Sequence, residues 1–387
     1  MLKALDLWLP AYLRRPHPAL PDGVTDILLA VCDHFEPLHD TDKAGALERL
    51  RRWRREFPPL IENFRAADGF RPRHTFFYPV EQYDPDILAA LTDLCHACGG
   101  EVELHLHHDH DTPAGFRDKL ERGKADLARH GLLAREAAGG ICYGFIHGNW
   151  ALCNSHPEGH GCGVNSELTV LAETGCYADF TMPSAPHGTQ TRIINSLYYA
   201  QDTGNPKPHD TGKLVSVERR SPTRLGEEPE TRRVEDRRSA TLNAYQLSTI
   251  NHQLLLVQGP LGLNWSRRKF GLLPRIENGE ITGINPPRAD RMKLWTRLGI
   301  QVQGQPNWRF IKLHTHGGNP RDMATLLAAP MARFWEHALA EYNDGKKFRL
   351  HFVTARELVN VIHAAEAGHT GNPGAYRNHR YQSALPS

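Results

Sequence analysis

Two features of this 387-residue chain predict an α/β fold built on a parallel sheet. Apolar runs of strand length alternate with amphipathic helical stretches, and the short connections between them favour parallel pairing. Polar, chemistry-bearing residues also stand where those runs end, Asp33-His34 after the first and His105 after the third. In α/β sheets, sites gather at the C-terminal ends of the strands.

The run Asp26-Ile-Leu-Leu-Ala-Val-Cys32 reads as a strand buried on both faces that delivers Asp33-His34-Phe35-Glu36-Pro37. A helix near 43–57 turns Leu47, Leu50, Trp53 and Phe57 inward. Its arginines at 49, 51, 52, 54 and 55 form a solvated face, and Pro58-Pro59 ends it. The strand 74–78 leads to a helix with Asp84 as N-cap and Pro85 in its first turn. Its apolar stripe, which includes Cys95 and Cys98, is core, and Gly99-Gly100 close it. Beyond the strand 101–106 come a helix near 116–130, a run at 142–150, a helix at 166–174 and a strand at 178–182. Residues 201–240 lose apolar periodicity and read as an exposed insertion. Order returns with the strand 253–257, a hairpin signal at Glu277-Asn-Gly-Glu280, a helix near 288–298 and the strand 308–316. A helix over about 321–343, bent at Pro330, and the strand 348–352 with a helix behind it complete the pattern.

Composition narrows the function. The 46 basic and 44 acidic residues give a net charge of +2, so nothing calls for nucleic acid or a membrane surface. Neither a signal peptide nor an apolar run of spanning length is visible, which leaves the cytoplasm as the default compartment. The first fifteen residues are expected to dock onto the body of the protein. Seven cysteines, an odd number, argue against a disulfide framework. The 23 histidines are anomalous because they cluster.

The densest cluster is Glu101-Val-Glu-Leu-His-Leu-His-His-Asp-His110. Side chains two apart in an extended chain share a face, so His105 and His107 can converge on one ion. Imidazole with carboxylate suits a divalent transition metal, zinc first, better than calcium or magnesium. A second constellation, Cys153, His156, His160 and Cys162, offers a structural zinc site or a Gly/Pro-rich loop with incidental histidines.

Several motifs in order resemble the polysaccharide deacetylase (NodB-like) family. Val31-Cys32-Asp33-His34 stands where the family has a Thr-Phe-Asp-Asp turn, and Thr75-Phe76-Phe77 matches its next strand. Glu101 to Asp109 is similar to the family's metal motif, and Phe145-Ile-His-Gly-Asn-Trp150 corresponds loosely to its arginine-and-aromatic motif. Lys312-Leu313-His314-Thr315 resembles the leucine-histidine motif, and Phe352 to Leu358 the closing strand and helix. The chain departs from the family at His34, which replaces a ligand aspartate. It also lacks the third motif's arginine, whose place Asn149 or His147 would take.

The resemblance implies a distorted (β/α) barrel over 25–365 with an insertion at about 201–305, flanked by an N-terminal extension 1–24 and a C-terminal tail 366–387. It implies a metal on His34, His105 and either His107 or Asp109, with Asp33 as general base and His314 protonating the leaving amine. Asn149, Trp150 and Asp179 are candidate substrate contacts. The expected partner is a carbohydrate: an N-acylated sugar of a cell-surface polysaccharide or its precursor. The competing expectations are a glycoside hydrolase, which needs two flanking carboxylates, and an inactive carbohydrate-binding relative.

Overall fold

In the computed structural model, which describes residues 4–15, 18–218 and 253–385, the first apolar run forms the strand β1 (Thr25–His34), buried along its whole length. Parallel strands flank it on both sides: β2 (Thr75–Pro79), β3 (Glu101–Leu106), β4 (Ile141–His147) and β5 (Cys176–Asp179) follow on one side. Beyond β5 the sheet continues into β7 (Gln253–Val257), which pairs antiparallel with β6 (Leu197–Gln201). On the other side β1 pairs in parallel with β8 (Trp308–Thr315), whereas β9 (Phe348–Val353) pairs with the first half of β1 on the edge whose last residues pair with β2.

The expected α/β architecture is present, but the ladder does not close into a barrel among the described residues. A short strand, Glu280–Ile281, borders β8, and Lys213–Leu214 borders β6. The sheet still curls: Lys312 on β8 donates to the Met182 carbonyl beyond β5 at 2.9 Å. Part of the expected insertion belongs to this sheet, because Leu254–Val257 are apolar and buried and serve as one of its strands. Residues 219–252 of that insertion lie outside the described residues.

Side-chain alternation divides the core. Ile27, Leu29 and Val31 face the helices α2 (Lys43–Ile61), α3 (Pro85–Cys98) and α4 (Pro113–Arg129), and Leu28, Ala30 and Cys32 face the inner side of the curl. Cys95 and Cys98 sit in the first cluster, as their stripe predicts. Capping follows the sequence at Asp84, which accepts from Asp86 and Ile87, and at Gly99 with φ 68°. Helix α1 (Leu5–Arg14) docks by burying Trp8 against Ala185, Ile194 and Leu261.

Three expectations fail locally. Helix α2 runs through Pro58-Pro59 to Ile61, because the carbonyls the prolines leave unpaired belong to the exposed Arg54 and Arg55. Pro330 breaks the last long helix into two, Pro320–Leu326 and Ala329–Tyr342. The Asn278-Gly279 turn joins two sheets instead of closing a hairpin: Leu273–Glu277 pairs with Gly262–Lys269, and Glu280–Ile281 pairs with β8. No helix among the described residues is long and apolar enough to cross a membrane.

Candidate metal centre

At the C-terminal ends of β1 and β3, parity brings His34 and His105 to the inner face, with ring centroids 5.0 Å apart. Glu36, two residues beyond His34, joins them, and its Oε1 lies 3.3 Å from His105 Nε2. One donor atom from each of His34, Glu36 and His105 falls within 4.8 Å of the others. His105 Nδ1 is 3.0 Å from the Ile146 carbonyl, which fixes Nδ1 as the protonated nitrogen and turns the Nε2 lone pair toward Glu36.

His34 is the anomaly of the site. Its side chain is 1 % exposed, yet neither ring nitrogen has a hydrogen-bond partner. Burial, followed by the neighbouring His316, His105 and His314, pushes its pKa far below the ordinary histidine range. It is therefore a neutral imidazole with an available lone pair, and an orphaned buried nitrogen of this kind fits a metal ligand. Burial also lowers His105, against the opposing pull of Glu36. Glu36 itself is raised by burial, but the imidazoles of His105 and His107 beside it more than offset this and hold it well below the usual carboxylate range.

His107 lies beside this group and outside it. Its ring is 4.7 Å from that of His105, with Nε2 3.5 Å from Glu36 and Nδ1 2.6 Å from Glu81. Trp150 stacks on His34 at 4.8 Å. Next to the group opens a cavity of about 210 Å³ whose polar lining includes Glu280, His316, Asn319 and Arg321.

The remaining expected residues go elsewhere. Asp33 alternates with His34 and so points to the helix side, where it accepts from the Gly317 amide at 2.6 Å and faces His74 Nε2 at 2.8 Å. It does not reach the inner face as a base would. Asp109 is exposed and accepts from the Gly161 and His110 amides. His314 is on the inner face, 6.1 Å from His34, but burial and then Lys312 push it far below the histidine range, so it is neutral and not the protonated donor expected. Asn149 spends its amide on the His108 and Gly161 carbonyls. Asp179 is buried against Thr181, away from any opening.

From sequence, Glu36 reads as a partner for a metal ligand or a surface acid and His316 as one of the clustered histidines, and neither is placed on the metal or the cavity; Glu280 carries no signal. Glu36 carried a signal, since it stands in the same i, i+2 relation to His34 as His107 does to His105. The four-residue constellation between Cys153 and Cys162 is not gathered: His156 and His160 pair with each other on the exterior. Cys162 instead meets His108, His147 and Glu167 in a second, wholly buried group with metal-ligand geometry.

No protein-family model matches this chain, and no curated protein is similar enough to be counted a relative.

Proposed function

We propose that the chain is a metal-dependent hydrolase that removes an acyl group from an N-acylated sugar, the activity of the polysaccharide deacetylases it resembles. The observation that carries this is His34: a buried imidazole with both nitrogens unpartnered, facing His105 and Glu36 beside a polar cavity. Those three residues would hold one divalent metal, and two imidazoles with a carboxylate suit zinc. When bound, such an ion supplies Lewis acidity toward an amide carbonyl and lowers the pKa of its water.

The chain's own residues do the rest. His107, held between Glu36 and Glu81, fixes the orientation of the Glu36 carboxylate. Trp150, only partly buried, offers a sugar ring an apolar surface beside His34. Glu280 borders the cavity, and burial raises its pKa, which suits it to take a proton and pass it on. All seven cysteines are unpaired and buried, which supports a reducing compartment, the cytoplasm, and hence a precursor as substrate.

The glycosidase alternative has little support, because of Asp33, Glu36, Asp109 and Asp179 only Glu36 borders the cavity. The test is acetate release from N-acetylated oligosaccharides by purified protein, with His105→Ala as control. Acetate from wild type and none from a folded variant supports the proposal. New reducing ends without acetate would favour a glycosidase, and neither product a binding protein.

A further inference from the structure

We infer that the chain carries a second metal site, closed and structural, formed by His108, His147, Cys162 and Glu167. All four are buried, and one donor atom of each lies within 4.8 Å of the others. His108 Nε2 is 2.8 Å from Glu167 Oε1, His147 Nε2 is 3.6 Å from the same oxygen, and Cys162 Sγ is 3.2 Å from Glu167 Oε2. A tetrahedron with bonds of 2.0–2.3 Å has edges of roughly 3.3–3.8 Å, so only small shifts are needed. His147 Nε2 is buried with no hydrogen-bond partner, and it would ligate a cation once the ring proton moves to Nδ1, which meets the Asn149 amide at 3.2 Å.

The group lies on the helix side of the sheet, because His147 alternates with Ile146, which faces inward. Four protein ligands leave no open position, so the role is structural. The site ties the segment after β3, the end of β4, the loop 148–166 and the start of the helix Glu167–Glu173. That loop carries Trp150, so the site fixes the ring that stacks on His34.

Sulfur separates the two centres, since only this one has a thiolate. Full-length protein, stripped of metal and titrated with Co²⁺, is expected to develop a sulfur-to-cobalt charge-transfer band. The band should vanish in Cys162→Ser and persist in His105→Ala and Cys153→Ala. A wild type without the band, or a band that survives Cys162→Ser, overturns the inference. If Cys162→Ser does not fold, Glu167→Gln replaces it and should weaken the band's Co²⁺ affinity; unchanged affinity counts against the site. Cobalt uptake without the band would leave the His34 centre standing alone, and the band with no further uptake would remove that centre.

A separate observation concerns the hairpin 262–277. Its apex is a tight turn in which the Leu272 amide bonds to the Lys269 carbonyl at 3.1 Å, with φ of 52° at Phe270 and 71° at Gly271. Type I′ turns of this kind favour Asn or Gly, and a phenylalanine there is strained. It is also 93 % exposed, with Leu272 at 76 % and Leu273 at 63 %. Arg267, Arg268, Lys269 and Arg275 surround it, and no acid occurs between 265 and 276. An apolar tip within a collar of cations is complementary to an anionic lipid surface. We propose that this hairpin docks the protein on such a membrane. Full-length protein should sediment with vesicles of phosphatidylcholine and phosphatidylglycerol, about tenfold more than with phosphatidylcholine alone, and less at high salt. The double variant Phe270→Asp, Leu272→Asp should lose this binding while keeping its circular dichroism. Equal or absent sedimentation with both vesicles, or undiminished binding by the variant, overturns the proposal.

Discussion

Replacing Asp33 distinguishes a residue that positions a loop from one that moves a proton. Its carboxylate is 0 % exposed and serves two groups, the Gly317 amide and His74 Nε2. Asp33→Ala strips both of their acceptor inside the core. Each buried donor so abandoned costs about 1–3 kcal/mol, and the relief of no longer burying a carboxylate returns part of it, leaving about 2–4 kcal/mol. Asp33→Asn keeps one acceptor in the same shape and should cost about 1 kcal/mol. Urea unfolding in excess zinc measures both as shifts of midpoint at constant slope. Metal content and acetate release are then measured on the folded fraction. Both variants should keep their metal, and Asp33→Asn should turn over within a few-fold of wild type. If Asp33→Asn were stable and fully metallated yet slower by about 10²–10⁴, Asp33 would be moving a proton and its placement here would be wrong.

Two further predictions concern pH. For His107, burial opposes the proton, but Glu36 and Glu81 outweigh it and lift the pKa from 6.5 to about 9. Its contribution is complete below pH 6.5 and is lost as pH rises through 9. Metal-free protein should therefore lose about 1–2 kcal/mol of unfolding free energy over that window, after discounting for its partial exposure. His107→Gln should flatten the decline, and a variant that tracks wild type refutes the assignment. For Asp179, burial raises the carboxyl from 3.8 to about 7, so the group destabilises the fold increasingly as pH climbs between those values. Asp179→Asn should match wild type at pH 4 and exceed it by about 1–3 kcal/mol at pH 8, with acetate release unchanged. A loss of activity alone would make it a substrate contact after all.

How much of this was legible in the sequence depended on the range of the interaction. The strands β1, β3 and β8 are continuous or alternating apolar runs whose C-terminal ends bring His34 and His105 to one edge of the sheet, while the face each takes follows from period-two parity together with the pairing of neighbouring strands. The same rule, applied to Asp33, turns it away from His34; family resemblance had assigned it to the site, and strand geometry overrides that. Glu36 needed only the parity step already used at His105 and His107. Glu167 and Glu280 had no such signal. The first opens a helix nearly sixty residues beyond His108, and the second enters the site because its short strand pairs with β8. Sheet closure was also beyond local pattern, since it depends on which strands meet at the edges.

The central claim is that His34, Glu36 and His105 grip one cation. Crystals grown with zinc and measured on both sides of its absorption edge test this most directly. An anomalous peak should lie within about 2.0–2.2 Å of one donor atom from each of the three residues. A well-ordered site with His34 and His105 in place and no peak between them would contradict the account.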